Sequence, residues 1–260
     1  MNSACKKIRE DIIKISHASG HGHIPTCFSV VEVLYALYKH MRHDPQYPKW
    51  PLRDIFILSK GHASLALYTV LAEFGYFAVE EVYSFGAFNS RFGCHADRSK
   101  IAGVEASTGS LGHGIGLAVG AALGIRLKNE TRQVYTLIGD GESNEGTVWE
   151  ALMVADHLGL ENLTVIYDDN RSHSRGLQLV NPKRKFEAFG FHVLELDGHD
   201  LNALQSAFNT RVSGPKAIVA KTVKGFGCRT LSDHQYEWHR KSPSKDQLDL
   251  LMEQLDAQAV

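Results

Sequence analysis

Two short polar clusters stand out by where they fall in the chain. Gly139-Asp140-Gly141 closes the apolar run Val134-Tyr135-Thr136-Leu137-Ile138, and Asp168-Asp169-Asn170 closes the next run, Leu163-Thr164-Val165-Ile166-Tyr167. Runs of this length bounded by turn residues predict buried strands. Between them, Val148 to Leu158 repeats its apolar residues at helical spacing. A strand–helix–strand crossover makes the two strands parallel, so their C-terminal ends share the sheet edge where ligands bind. Asp140 and Asn170 then converge from distant positions. A carboxylate, an amide oxygen and a backbone carbonyl form a hard oxygen site, suited to Mg²⁺ or Ca²⁺ held jointly with phosphate oxygens and not to zinc. The glycines beside Asp140 let the backbone approach a phosphate, and the following helix offers its first N–H groups to the anion. Singly, each cluster reads as a turn. As a pair at consecutive strand ends, with Glu145 and Glu150 between them, they read as a site. Competing phosphate motifs are absent: there is no GxxxxGK[ST], and Gly112, Gly114 and Gly116 lack both GxGxxG spacing and a preceding strand.

The rest of the chain supplies the scaffold. Ile8, Ile12 and Ile15 recur at helical spacing, as do Val30, Val33, Leu34, Leu37 and Met41 after Ser29-Val30-Val31-Glu32, which has capping-box form. Ile55–Leu58 predicts a buried strand ending at Ser59-Lys60-Gly61-His62, with a helix from about Ala63 to Phe74. The aromatic, aperiodic stretch 83–105 predicts a loop, and the glycine-rich segment from Gly109 to Gly116 opens a helix running to about Lys128. Strands at Phe191 to Leu196 and Lys216 to Ala220 flank a helix at Leu201 to Phe208. Ser244-Lys245-Asp246-Gln247 is a second capping-box form, placing Leu248, Leu251 and Leu255 on one helix face. Buried strands alternating with helices predict an α/β fold, a three-layer sandwich around a central, mostly parallel sheet. No linker or repeat divides residues 1–260, so one domain is expected.

Composition removes several classes. Lys+Arg 28 against Asp+Glu 29 gives a net charge of −1, and no basic run marks a nucleic-acid or membrane patch. The longest apolar stretch, around Leu117 to Ile125, falls far short of the ~20 residues of a bilayer span. The N-terminus leads into an amphipathic pattern, not an apolar signal core, and the four cysteines form no CxxC pair. A cytoplasmic enzyme is the expectation.

Gly139-Asp140-Gly141 followed by Asn170 matches the thiamine diphosphate-binding motif, and the fuller context resembles the N-terminal, diphosphate-binding half of transketolase. The matching stretches include Ser59-Lys60-Gly61-His62-Ala63, residues 103–112, residues 139–146, Asp197-Gly198-His199-Asp200, Lys221-Thr222-Val223-Lys224-Gly225 and Glu237-Trp238-His239, in the family's order over nearly the whole chain. The resemblance implies the diphosphate-binding (PP-type) fold with thiamine diphosphate and Mg²⁺ as cofactors. It implies Asp140, Asn170 and the backbone carbonyl of Ser172 as metal ligands. Gly141, His62 and His239 then meet the diphosphate, and Gly109 and Leu111 line the aminopyrimidine. Glu145 and Glu150 match a carboxylate network between paired active sites. His23, His95 and His239 match histidines that face the sugar and shuttle protons, work suited to a group titrating near neutral pH.

The chain also departs from the family pattern. His21-Gly22-His23 replaces the usual Ser-Gly-His, Pro25-Thr26-Cys27 replaces small residues, and His113 stands for a glutamine. Arg171-Ser172-His173-Ser174-Arg175-Gly176 follows Asn170 where apolar residues and Asp-Gly are usual, and Arg240 replaces a glycine. The polar Ser174 and the added cations point to an atypical, anionic donor or acceptor. In the family, the glutamate that activates the cofactor and the pyrimidine pocket lie in a further domain. The resemblance therefore implies one subunit of a split transketolase. Completed by a C-terminal-type partner in a two-plus-two heterotetramer, it would move a two-carbon ketol unit from a ketose to an aldehyde. Two other readings remain open: the alpha subunit of a 2-oxo acid dehydrogenase, and a non-catalytic cofactor-binding subunit.

Overall fold

The computed structural model describes residues 1–257. Five strands, β1 (Ile55–Leu58), β2 (Val134–Gly139), β3 (Leu163–Asp169), β4 (His192–Asp197) and β5 (Lys216–Lys221), form one sheet in the order β1-β2-β3-β5-β4. Every described pairing is parallel. Successive side chains of a strand point to opposite faces, and both faces are covered. Phe56, Leu58, Tyr135, Leu137, Ile166 and Ile218 pack on one side, against α1 (Ser3–Ser19), α2 (Ile24–Phe28), α3 (Val31–His40), α4 (Ser64–Glu73) and α9 (Leu201–Asn209). Ile57, Val134, Ile138, Val165, Tyr167, Ala217 and Val219 pack on the other, against α6 (His113–Leu127), α7 (Gly146–His157) and α8 (Pro182–Ala188). This is the expected three-layer α/β sandwich. Two-sided cover explains why β2 and β3 read as continuous apolar runs and not as alternating ones. Short helices α5 (Val79–Val82) and α10 (Arg229–Asp233) and the terminal α11 (Lys245–Ala257) complete the described elements, with one-turn 3-10 helices at Gly61–Ala63, Gly141–Asn144 and Glu237–His239.

The two capping-box forms have different outcomes. At α11 the box is real: Ser244 N–H donates to Gln247 Oε1 (3.0 Å), and Gln247 N–H donates to Ser244 Oγ (3.4 Å). Leu251 and Leu255 are then buried in the core, with Leu248 partly buried beside them. At α3 it is not. Val30 caps the helix without a side-chain bond, while the Ser29 hydroxyl lies 2.8 Å from Asp168 Oδ2. Glu32 turns to the buried Arg9, whose guanidinium grips both carboxylate oxygens (2.5 and 2.6 Å). A buried cation needs that partner more than a helix start needs its cap.

The register aligns the strand ends that matter. Gly139 is level with Asp168, Asp168 with Ala220 and Asp169 with Lys221. The segments beginning at Asp140, Asn170 and Thr222 therefore all leave the sheet at one edge.

Candidate functional site

Asp140 follows β2, is 2% exposed, and accepts from the Gly141 N–H (2.7 Å) through Oδ1. Its Oδ2 lies 2.9 Å from His173 Nδ1, at ion-pair distance but out of hydrogen-bond alignment, and 3.5 Å from the His173 N–H. The segment after β3 is thus folded back onto Asp140. Burial first, and then the charge of Asp168, raise the Asp140 carboxyl above its ordinary range. Asn170 is 4% exposed, and its Oδ1 accepts from the Ser172 N–H (2.9 Å). The Ser172 hydroxyl accepts from Lys224 Nζ (2.7 Å).

Three imidazoles stand beside this group. His23, at the start of α2, has its ring centroid 5.4 Å from that of His62 and 5.3 Å from that of His239; His62 and His239 are 6.3 Å apart. Lys224 Nζ lies 3.1 Å from His239 Nδ1. Burial, then Lys60, push His62 down to about 2; burial, then His239, push His23 to about 4; burial, then Lys224, push His239 to about 4. All three rings are neutral bases at neutral pH. Lys224, 3% exposed, is itself pushed down to about 8 by burial and by the charge of Lys60. Two buried lysines and three imidazoles at one sheet edge make a basin for a polyanion.

The glycine loop forms a second wall. A Cβ on Gly61 would fall 2.9 Å from Gly109 N, so the loop at 108–109 rests directly on the Ser59-Lys60-Gly61-His62 segment. The exposed His95 ring lies against Gly109. Leu111 is half-buried next to Gly112, which has φ +82° and sits against Glu145. The turn is fixed by Glu142, a buried carboxylate that accepts from Gly112 N–H (2.8 Å), Gly139 N–H (3.0 Å) and the Ser59 hydroxyl. Glu145 and Glu150 lie exposed at the start and on the outer face of α7, and no described contact joins them to the imidazoles.

Sequence reasoning gave no role to Lys60, Lys224, Glu142 or Asp168. The only signals were their places in Ser-Lys-Gly-His, Lys-Thr-Val-Lys, Gly-Asp-Gly-Glu and Asp-Asp-Asn.

The residues present fit a hard cation shared with a diphosphate. Among the described residues no three His, Cys, Asp or Glu side chains gather into a metal cage. One buried carboxylate with an amide oxygen suits an ion that takes its remaining oxygens from phosphate and water. The surplus of cationic and neutral-base groups around it supplies the anion's partners.

Comparison with known proteins supports the diphosphate part of this reading. A family model described as "Transketolase, thiamine diphosphate binding domain" matches residues 2–257. The chain is 41% identical over 217 residues to the 6-deoxy-6-sulfo-D-fructose transketolase subunit of a Clostridium species, covering 80% of this chain and 79% of that one. It is 34% identical over 264 residues to an apulose-4-phosphate transketolase subunit from Actinobacillus succinogenes, covering 98% and 95%. Against bovine transketolase-like protein 2 it is 35% identical but spans only 42% of that protein. The transketolase structure from Campylobacter jejuni superposes with a TM-score of 0.90 at 28% identity, covering 98% of this chain and 43% of that one. The chain belongs to the transketolase family, as its thiamine diphosphate-binding domain.

Proposed function

We propose that this chain is a single thiamine diphosphate-binding domain serving as the diphosphate-binding subunit of a two-component transketolase. The observation that carries the reading is the His23–His62–His239–Lys224 cluster on the same sheet edge as Asp140 and Asn170. Asp140, Asn170 Oδ1 and the Ser172 carbonyl would hold Mg²⁺ (or Ca²⁺), with Lys224, His62 and His239 meeting the diphosphate and Lys60, paired with Asp168, adding only its charge. The Gly141 N–H, which donates to Asp140 Oδ1 in this structure, would turn to the diphosphate once the ion takes that oxygen. Gly109 and Leu111 would line the aminopyrimidine. When bound, thiamine diphosphate supplies the electron sink that lets a carbon–carbon bond beside a carbonyl break and re-form. The chain's part is positioning and proton transfer. His23 and His239, in their base form at neutral pH, can accept a sugar hydroxyl proton and return it; His95, on Gly109, faces the same space. Glu145 and Glu150 are assigned to a carboxylate path between paired sites, completed by the partner.

The chain spans 42% of the full-length transketolase relative but most of the two subunit relatives. That contrast supports a C-terminal-type partner, and a cofactor site shared between unlike domains across a symmetric dimer would make the assembly two-plus-two. Both subunit relatives are named for substrates with a charged sulfo or phosphate group. With Arg171 lining the same cleft as Asn170 and Lys224, and Arg240 beside His23 and His239, this supports an anionic and atypical sugar. The 2-oxo acid dehydrogenase alternative is not favoured by these relatives. The test is product analysis by mass spectrometry. The chain, co-expressed with a C-terminal-type transketolase partner, is offered sulfonated, phosphorylated and unmodified ketoses. Two-carbon transfer by the pair, preferring the anionic sugars, is expected. Ketol transfer at normal rates by this chain alone would refute the split-enzyme reading, and oxidative decarboxylation by the pair would refute the reaction.

A further inference from the structure

A carboxamide presents a donor and an acceptor of nearly the same size, and only its oxygen can meet a cation. Asn170 therefore needs something that fixes which way it faces. Its Nδ2 donates to Asp168 Oδ2 (2.7 Å) and lies 3.2 Å from the Ser29 hydroxyl, which leaves Oδ1 directed the other way, toward Ser172. Asp168 is fully buried, and Oδ2 also receives Lys60 Nζ (2.5 Å). A carboxylate paired with a lysine only accepts hydrogen bonds, so the amide end facing it must be the NH₂. Oδ1 of Asp168 is engaged by the Thr222 hydroxyl (2.5 Å), and the Ser29 hydroxyl lies 2.8 Å from Oδ2. Donors thus reach Asp168 from four segments: the end of α2, and the ends of β1, β3 and β5. Oδ2, the oxygen that faces Asn170, thus receives three donors and Oδ1 one, so the side of Asp168 toward Asn170 is filled by hydrogen bonds.

We propose that Asp168 is the positioning residue that turns the Asn170 oxygen toward the metal, with Ser29 as its auxiliary. This rests on the diphosphate reading above and assigns Asp168 no direct contact with the ion. Partners of this kind typically change metal affinity by about 10- to 100-fold.

The experiment measures thermal stabilisation of the full chain by inorganic pyrophosphate across a Mg²⁺ titration, a readout independent of turnover. The variants are Asp168→Asn, Ser29→Ala and Thr222→Val. Asp168→Asn is expected to raise the Mg²⁺ concentration at half-effect by 10-fold or more, with the full response recovered at high Mg²⁺. Ser29→Ala should raise it several-fold. Thr222→Val, which disturbs only the oxygen remote from Asn170, should stay within about twofold of the parent even though it also leaves a buried polar atom unpaired. If Asp168→Asn fails to fold, Ser29→Ala against Thr222→Val decides the matter. Equal Mg²⁺ dependence in parent, Asp168→Asn and Ser29→Ala would overturn the proposal while leaving the diphosphate reading intact. No Mg²⁺-dependent response in the parent would overturn both.

Discussion

Burial and neighbouring cations hold His62 at about 2 and bring His23 and His239 to about 4. In the unfolded chain such rings protonate near 6.5. Between roughly pH 6.5 and 4 these three sites therefore bind more protons in the unfolded chain than in the folded one, so their contribution to stability falls as pH falls. The melting temperature of the free chain should drop across that window, and His62→Gln should flatten the drop; an unchanged slope in His62→Gln would refute the assignment. Pyrophosphate with Mg²⁺ should also lessen it, because the bound anion offsets Lys60 and Lys224. At this scale the sequence was legible where chemistry is local. Gly-Asp-Gly and Asn170 sit at the ends of recognisable strands. Lys60, Glu142 and Asp168 were not legible, because each owes its role to partners from other loops: Asp168 to Ser29 and Thr222, Glu142 to Gly112 and Ser59.

Among the elements, the start of α3 shows where local pattern loses to packing. Ser29-Val30-Val31-Glu32 has the form of a cap, yet Glu32 is held at about 2: burial alone would raise it, and the bidentate Arg9 and then His199 outweigh burial. His199 relays this outward. Its Nδ1 meets Glu32 (2.9 Å), its Nε2 accepts from the Val223 N–H (2.9 Å), and Val223 adjoins Lys224. Glu32→Ala leaves the Arg9 charge buried and should cost about 3–5 kcal/mol in a denaturant titration, whereas replacing both partners by apolar residues should cost less. A loss below about 1 kcal/mol, the range of exposed pairs, would contradict the pairing. At α11, where cap and core agree, Ser244→Ala should cost about 1 kcal/mol. Gly112→Ala combines a left-handed backbone with a Cβ 2.7 Å from that of Glu145. It should therefore displace the glycine loop and weaken cofactor binding without destroying the sheet.

For the whole molecule, the unpartnered surface is informative. α6 and α7 pack together yet leave Leu117, Leu127, Met153 and Val154 47–72% exposed, beside Glu145 and Glu150. An apolar face next to a site is the expected mark of an interface. Met153→Asp should therefore leave the free chain's melting temperature nearly unchanged and abolish co-purification with the partner; undiminished assembly would place the interface elsewhere. The fold itself was readable because continuous apolar runs and helical periods alternate so regularly, while α2, α5, α8 and α10 are helices of only four to seven residues, too short to show a period. What all of this turns on is whether the ends of β2 and β3 together clamp a divalent ion on a diphosphate. Crystals of the chain grown with thiamine diphosphate and Mn²⁺ would decide it, because anomalous scattering makes that ion visible. One peak is expected at coordination distance from both the Asp140 carboxylate and Asn170 Oδ1, with the diphosphate against His62 and Lys224. A bound diphosphate whose metal touches neither residue would contradict it.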